Sequence, residues 1–192
     1  MYKLCTGNKH KFKEFCELLS LEGIELSQIS QDLPEIEADP LSVVVHKASQ
    51  LPEGILVDDT SLDIEGAAIG VNIRWHLDNL DNYIGKKALW TVLLAYRKKE
   101  TVYIFRGQVP GTLVLPKGDT GSGFDFHFLP DGSIHTLAQS RPLSLNARAI
   151  ALRSLLDNDP HAELPPITSW SGPWQKFEPE PACEPEPDFG TR

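Results

Sequence analysis

The sequence has few cysteines, and their arrangement fits neither a disulfide framework nor a zinc site. Cys5, Cys16 and Cys183 are the only three in 192 residues, and they are widely spaced. A disulfide-rich secreted domain needs several cysteines at regular spacings, and a zinc site needs closely spaced pairs. We therefore expect a protein of the reducing cytoplasm.

Long hydrophobic runs are also missing. No apolar stretch approaches the roughly 18–20 residues that a membrane-spanning helix requires. Gly7 and Asn8 interrupt the apolar start of the chain, so we expect no secretory signal. The hydrophobic fraction of 41% is still high enough for a domain of ordinary size with a core.

Basic residues are outnumbered, with 18 lysines and arginines against 27 acidic residues and a formal charge of −9. This sign disfavours general nucleic-acid binding. Residues 157–192 hold eight of the acids but only two of the basic residues, so most of the excess lies there. In residues 1–156 the numbers of acidic and basic residues are nearly equal.

Proline marks the same division, because eight of the 15 prolines follow residue 156. This composition predicts irregular or extended chain. We therefore predict a domain at 1–156 and an acidic, Pro-rich tail at 157–192. Deletion of residues 160–192 is expected to leave the fold and turnover intact but to remove association with a protein partner. Trp170 and Trp174 lie in the tail, and such side chains either pack on the domain or bind a protein partner.

Interleaved helix and strand patterns predict an α/β domain with a mixed sheet. Apolar spacing and helix-start signals predict helices over about 9–20, from Asp39-Pro40 onward, over LDNLDNYIGKKALW, and after Pro142. Strands are predicted at GIELSQIS, GILVDDTSLDI, TVYIFRGQV and GTLVLPKG, and a turn at KKE is predicted to join ALWTVLLAYR to TVYIFRGQV as a hairpin. The acids of GILVDDTSLDI indicate a site at the C-terminal end of a buried strand.

Two polar stretches suit phosphate chemistry. Thr6-Gly7-Asn8 lies between a strand and a helix, where backbone N–H groups can bind an anion, and Lys11 follows one helical turn later. A turn with solvated lysines would explain this pattern equally well. Asp58 and Asp59 are costly to bury unless a cation such as Mg²⁺ compensates them, although a capping acid pair is the simpler alternative.

In order and approximate spacing, these stretches resemble the inosine triphosphate pyrophosphatase (ITPase) family over about residues 1–156. The matching residues are Thr6-Gly7-Asn8-x-x-Lys11, Leu33-Pro34-Glu35, Asp58-Asp59-Thr60-Ser61-Leu62 and Gly70-x-x-x-Arg74-Trp75, followed by FRGQVPGTLVLPKG and GFDFHFLPDGSIHTLAQ. The resemblance implies a two-lobed, Maf/Ham-like α/β fold, with a mixed twisted sheet flanked by helices and a nucleotide cleft between the lobes. It also implies a homodimer.

The resemblance further implies Mg²⁺-dependent hydrolysis of purine nucleoside triphosphates such as ITP, dITP and XTP to the monophosphate and pyrophosphate. Asp59, Glu35 and Lys11 would be catalytic, with Asp59 activating the attacking water. Glu35 and Asp59 would bind the metal, supported by Asp58. By position, the expected contacts to the substrate are Thr6, Gly7, Asn8, Lys11, Lys47 and Arg74 at the phosphates and Phe124, Asp125, Ser144 and Arg148 at the base.

The base-recognition motifs depart from the family pattern. Ser122 replaces a stacking aromatic residue, and Ser144-Leu145-Asn146 replaces Ser-His-Arg. Loss of that arginine removes a bidentate donor. A lysine that the family has a few residues earlier is also missing, and Arg141 is its nearest substitute. The phosphate motifs are kept, so the sequence predicts a triphosphate site with altered base recognition.

Three interpretations follow. The protein is a pyrophosphatase with changed base selectivity, in which Phe124, Phe126, His127 and Arg141 take over recognition. Alternatively, it is a weak or inactive sensor of dITP or another nucleotide that signals to a partner through its tail, as in Kongming-type antiphage defence, where an ITPase-like protein is paired with an NAD-consuming effector. The third interpretation is a housekeeping ITPase.

Overall fold

The computed structural model describes residues 1–31 and 33–176. The helices are α1 (Lys9–Ser20), α2 (Pro40–Ser49) and α3 (Ala147–Leu156). The strands are β1 (Tyr2–Cys5), β2 (Leu26–Ile29), β3 (Leu56–Ile64), β4 (Ala67–Gly70), β5 (Lys87–Lys98), β6 (Thr101–Leu113), β7 (Phe128–Pro130) and β8 (Ala162–Leu164). Segments of 3₁₀ helix occur at Val71–Tyr83, Gly123–Phe126 and Leu143–Leu145. Cys183 and EPEPACEPEPD lie outside the described residues.

All eight strands belong to one sheet in the order β2-β1-β3-β5-β6-β7, with β4 paired to β3 and β8 paired to β6. Strand β1 is parallel to both of its neighbours, whereas the neighbouring pairs β3–β5, β5–β6 and β6–β7 are antiparallel. The predicted α/β class with a mixed sheet is therefore confirmed. No described helix is both long enough and apolar enough to span a membrane.

Hydrophobic cores cover the two faces of the sheet. Successive strand residues point to opposite faces, so Leu4 and Leu56 belong to the core that includes Phe15 of α1. Their chain neighbours Cys5 and Val57 belong to the other core, which is packed with residues of α2. Helix α2 thus lies on one face, with α1 and α3 on the other.

The predicted helix over LDNLDNYIGKKALW is wrong. Its first part is 3₁₀ helix within Val71–Tyr83, and its end begins β5 at Lys87. Strand β5 pairs along its length with β6 and along most of it with β3, and this pairing outweighs a local helical pattern. The strand predicted at TVYIFRGQV continues without a break into the start of GTLVLPKG as the single strand β6, which ends at Leu113, so the rest of GTLVLPKG is not strand.

The last helix begins later than the predicted start near Pro142. The Asn146 side chain accepts hydrogen bonds from the backbone N–H groups of Arg148 and Ala149, at 2.9 and 3.2 Å, and so caps α3 at Ala147. Residues between Pro142 and the cap form a short 3₁₀ segment. The start is decided by a side-chain cap, since Asn is a strong N-cap residue.

Irregular chain after residue 156 was predicted from the prolines, and this is wrong for Ala162–Leu164. These residues form β8, which pairs with β6 over Val102–Ile104. Further on, Trp174 forms a single antiparallel bridge with Ile36. The described prolines flank these pairings, so they do not remove hydrogen-bond donors from them. The division of the chain after residue 156 stays a prediction.

Candidate functional site

A cavity of about 330 Å³ lies where β1 ends beside β3. Leu4 and Cys5 pair with Leu56 and Val57, so the next residues of β3 lie beside the turn that follows β1. Asp58 and Asp59 are therefore in the middle of β3, because the strand continues along β5 to Ile64. The prediction that they end the strand is wrong, but they lie just past the end of β1.

The turn after β1 is closed by its own side chains. The hydroxyl of Thr6 accepts a hydrogen bond from the Asn8 N–H at 3.2 Å, and the Asn8 side chain accepts one from the Lys11 N–H at 3.0 Å. Asn8 is thus the N-cap of α1, whose first turn contains no acidic residue. The positive end of α1 faces the cavity without a neutralising carboxylate in its own first turn, which suits an anion.

Two lysines and three carboxylates meet beside this turn. The Lys11 ammonium lies 2.8 Å from Asp58 Oδ2. The Lys47 ammonium, from α2, lies 2.7 Å from Glu35 Oε1 and 3.8 Å from Asp59 Oδ1, and it donates to the Asp58 carbonyl oxygen at 2.7 Å. The carboxylates outnumber the lysines by one.

Burial makes this excess negative charge costly. Asp58 is 1% exposed and Asp59 is 5% exposed. Burial, reinforced by the charges of Glu35 and Asp58, raises the pKa of Asp59 to about 7 despite Lys47. Burial also opposes ionisation of Asp58, but Lys11 and Lys47 lower its pKa below the usual value. Asp59 is therefore the carboxylate that the described residues compensate least.

The donor set is compatible with a hard cation that also binds substrate oxygens. Among residues 1–31 and 33–176, no group of three or more His, Cys, Asp or Glu side chains is arranged to hold a metal by itself. Within the same residues, Asp59 Oδ2 is buried and has no hydrogen-bond partner. Mg²⁺ is commonly held by one or two carboxylates together with waters and substrate phosphates, so the residues fit Mg²⁺ in that form.

Asp59→Asn should stabilise the protein in EDTA, and more strongly at high pH. The Asp59 pKa is raised on folding, so its contribution to stability is present below pH 4 and is lost as pH rises towards 7. Asparagine does not titrate. The gain in unfolding free energy should grow by about 2 kcal/mol between pH 5 and pH 8, measured by urea denaturation. Asp63→Asn, on an exposed position of β3, should show no such growth; equal pH dependence in both variants would contradict the assignment.

At another side of the cavity, Glu14 is the centre of a polar network. This α1 carboxylate accepts hydrogen bonds from Arg141 at 2.9 Å, Arg148 at 2.8 Å and the Asn146 amide at 2.8 Å. Burial opposes its ionisation, but Arg148 and Arg141 lower its pKa below the usual value. Arg141 also pairs with Asp125. Glu14 is therefore held as a carboxylate that orients two guanidinium groups.

The sequence-based predictions missed Glu14. It follows Lys11 by three residues and so lies on the same side of α1, and this spacing was the only signal available. Its partners Asn146 and Arg148 come from the start of α3, which is distant in the chain.

The residues that replace the family's base-reading motif have structural partners. Asn146 both caps α3 and binds Glu14, and the Arg148 guanidinium lies over the Trp90 ring, 5.5 Å from its centroid. Ser122 caps the 3₁₀ segment Gly123–Phe126, and its N–H donates to Asp125 at 2.8 Å. Arg148 and Asp125 therefore form a largely preformed wall of the cavity.

The structure brings nearly all of the predicted site residues together. Those that line the cavity are Thr6, Gly7, Asn8, Lys11, Glu35, Lys47, Asp58, Asp59, Arg74, Phe124, Asp125 and Arg148. Arg74 is exposed, with its guanidinium 5.1 Å from the centroid of the Trp75 ring. Ser144 is exposed and is not part of the lining. The roles of these residues stay predictions.

Comparisons with known proteins agree with this geometry. The sequence profile of the Ham1 family matches residues 2–158. A Schizosaccharomyces pombe protein named inosine triphosphate pyrophosphatase is 28% identical over 181 residues, covering 80% of this chain and 94% of its own length. A Yarrowia lipolytica protein of the same name is 31% identical over 173 residues, covering 78% of this chain and 89% of its own length.

Solved structures show the same fold. The Staphylococcus aureus Ham1 protein superposes with a TM-score of 0.58 at 18% identity, covering 81% of this chain and 97% of its own. A Mycobacterium abscessus protein described as nucleoside-triphosphatase / dITP/XTP pyrophosphatase superposes with a TM-score of 0.52 at 21% identity. The match covers 80% of this chain and 98% of the other.

Proposed function

The chain belongs to the Ham1 family, and from this premise we propose that it hydrolyses a purine nucleoside triphosphate to the monophosphate and pyrophosphate. The names of the curated relatives support this reaction class. The observation that carries the proposal is the buried Asp58–Asp59 pair, neutralised in part by Lys11 and Lys47, directly beside a helix N-terminus that suits phosphate.

We propose Mg²⁺ as the cofactor, held by Glu35 and Asp59 with Asp58 in support. The unpartnered, buried Asp59 Oδ2 supports this assignment, because a cation would satisfy it. When bound, the ion would neutralise charge on the phosphates and help to orient the attacking water.

Residues of the protein would bind the phosphates and accept the proton of the attacking water. The Thr6-Gly7-Asn8 turn and the N-terminus of α1 bind phosphate oxygens, with Lys11 and Arg74 adding positive charge. Asp59 accepts a proton from water, whose oxygen forms a bond to the α-phosphorus as the bond from that phosphorus to pyrophosphate breaks. A carboxylate whose pKa is raised to about 7 is a suitable base near neutral pH.

Base recognition is proposed to rest on Arg148, with Glu14 and Arg141 orienting it. A guanidinium donates hydrogen bonds and accepts none, so it matches the 6-oxo group and N7 of hypoxanthine or xanthine and mismatches the 6-amino group of adenine. Phe124 lines the same side of the cavity and offers an apolar surface. This arrangement would replace the family's stacking aromatic and Ser-His-Arg motifs.

A panel of nucleotides tests the proposal. With Mg²⁺ present, the purified protein should release pyrophosphate from ITP, dITP or XTP with a kcat/KM at least about tenfold above that for ATP, which corresponds to one hydrogen-bond mismatch. EDTA should abolish release. Failure to release pyrophosphate from any triphosphate in the panel would overturn the proposal.

A nucleotide sensor is the second candidate, favoured by the altered base end and by a C-terminal extension beyond residue 158, where the family match ends. Such a protein would bind a triphosphate such as dITP without cutting it and would signal to a partner, as in antiphage defence. Measuring binding and pyrophosphate release in the same panel separates the two. The homodimer, the protein partner and the cytoplasmic location stay predictions.

A further inference from the structure

Residues 165–176, which we call the C-terminal strap, follow β8 and run back across α2 to the cavity. The strap begins at the C-terminal end of that helix. The Ile167 N–H donates to the Ser49 hydroxyl at 2.9 Å, and the Gln50 side chain donates to the Ile167 carbonyl oxygen at 3.3 Å. Both partners lie at the end of α2, so the direction of the strap is set there.

A compact turn then brings the chain to Trp174. The Trp170 indole N–H donates to the Pro173 carbonyl oxygen at 2.8 Å. A Cβ on Gly172 would lie 2.6 Å from the Trp170 ring, so a side chain at this position would require the ring to shift. The ring of Trp174 packs edge-on against His46 of α2, with centroids 5.5 Å apart.

At its end, the strap pairs with the segment that contains Glu35. The Glu37 N–H donates to the Pro173 carbonyl oxygen and the Gln175 N–H donates to the Glu35 carbonyl oxygen, both at 2.9 Å. The Gln175 side chain adds a hydrogen bond to the Ile36 carbonyl oxygen at 3.1 Å. Ile36 itself is fully buried. The backbone on both sides of Glu35 is therefore held by residues near the end of the described chain.

This pairing matters for the site because Glu35 is the carboxylate that contacts Lys47 at 2.7 Å. Residues 33–37 belong to no helix or strand and have only the isolated bridge to Trp174 as regular pairing. Gln175 and Lys176 also line the cavity itself, together with Glu35. Lys176 thus adds a positive charge to the lining that also contains Glu35, Asp58 and Asp59.

We propose that the C-terminal strap is part of the triphosphate site: Trp174 and Gln175 position Glu35, and Lys176 binds a phosphate oxygen. This inference rests on the proposed binding of a triphosphate. It replaces the expectation that the chain from residue 160 onward is dispensable. Trp174 is a positioning residue, whereas Lys176 would touch the substrate directly.

Point variants of the full chain test the strap. The probe is α,β-methylene-ITP with Mg²⁺, measured by calorimetry, because it reports binding without turnover. Lys176→Ala should weaken binding about fivefold with an unchanged Tm, as loss of one charge-assisted contact predicts. Lys98→Ala, an exposed lysine at the end of β5, is the matched control and should bind as the wild type does.

Trp174→Ala should weaken binding of the same probe at least tenfold. In the nucleotide-free protein it should also speed amide hydrogen exchange of residues 33–37, because loss of the ring contact with His46 would loosen the strap, whose Pro173 carbonyl oxygen accepts the Glu37 N–H. Trp174→Phe keeps a ring against His46 and should restore most of both properties. A fall in Tm for Trp174→Ala with unchanged binding and unchanged exchange at residues 33–37 would mean that Trp174 serves only general stability, and would overturn the proposal.

The outcomes separate the strap from the proposed reaction. If the wild type binds the probe but releases no pyrophosphate from any triphosphate in the panel, the proposed reaction is overturned, and the variants still test the role of the strap in binding. If the wild type is active and Lys176→Ala and Trp174→Ala match it in binding, the strap proposal fails alone. No binding of the probe by the wild type overturns both.

Discussion

Asp59→Asn should reduce kcat for pyrophosphate release roughly a thousandfold, the scale expected when a general base is removed. Asp59 is buried in the middle of β3, and Lys47 is its nearest described cation, at 3.8 Å. Asparagine fills nearly the same space but can neither accept the water proton nor carry the charge that would bind Mg²⁺. The measurement is single-turnover release from the best substrate of the nucleotide panel.

Two controls would show that the fall in kcat comes from loss of the Asp59 carboxylate and not from misfolding. The variant should remain folded and be more stable than the wild type at pH 8, so misfolding cannot explain its inactivity. Asp63→Asn places the same change on an exposed position of the same strand and should keep full activity. Residual activity of Asp59→Asn within tenfold of the wild type would remove Asp59 from the catalytic role.

Gly107→Ala should destabilise the fold by about 3 kcal/mol, at the upper end of the usual cost of overpacking. Gly107 lies in β6 where α3 crosses the sheet. A Cβ there would overlap the carbonyl oxygen of Ala147 and lie 2.7 Å from the Ala151 nitrogen. Both are helix backbone atoms that cannot rotate away, so β6 and α3 would have to separate. For a chain of this size, Tm should fall by roughly 6–12 °C.

Arg106→Ala is the matched control, because Arg106 precedes Gly107 in β6 but is exposed. Its Tm should stay within about 2 °C of the wild type, as is usual for a surface substitution. Calorimetry of both variants measures the difference. A Tm fall below 2 °C for Gly107→Ala would show that α3 can shift away from β6 at little cost.

Gly107 also illustrates what motif matching leaves unexplained. The FRG stretch supports the family resemblance from the sequence, but its letters do not say why glycine is needed. The reason is the close approach of α3, which begins 40 residues later in the chain. A contact between elements so distant cannot be read from local patterns.

Local chemistry made other features predictable. Helix α1 is capped by the Asn8 side chain and α2 by that of Asp39, and both helices begin where their capping residues predict. The phosphate-suited turn depends on the same short-range bonds around Thr6 and Asn8. These elements follow from residues within about four positions of one another, so the sequence predicts them directly.

Contacts between residues that are distant in the chain decided the features that local sequence did not predict. The start of β5 was predicted as helix, and its pairing with β3 and β6 makes it a strand, whereas the hairpin predicted from ALWTVLLAYR through KKE to TVYIFRGQV is confirmed. Glu14 became a candidate site residue because α3 brings Asn146 and Arg148 to it.

The sequence alone therefore predicted the family, the mixed α/β class and most residues of the proposed phosphate-binding end of the cavity, since these depend on short motifs in a specific order. The raised pKa of Asp59 could not be read from it, because that shift comes from burial and from Glu35, a carboxylate 24 positions earlier in the chain. Nor did it predict that Trp174 packs beside Glu35. Burial and long-range pairing exist only once the sheet is assembled.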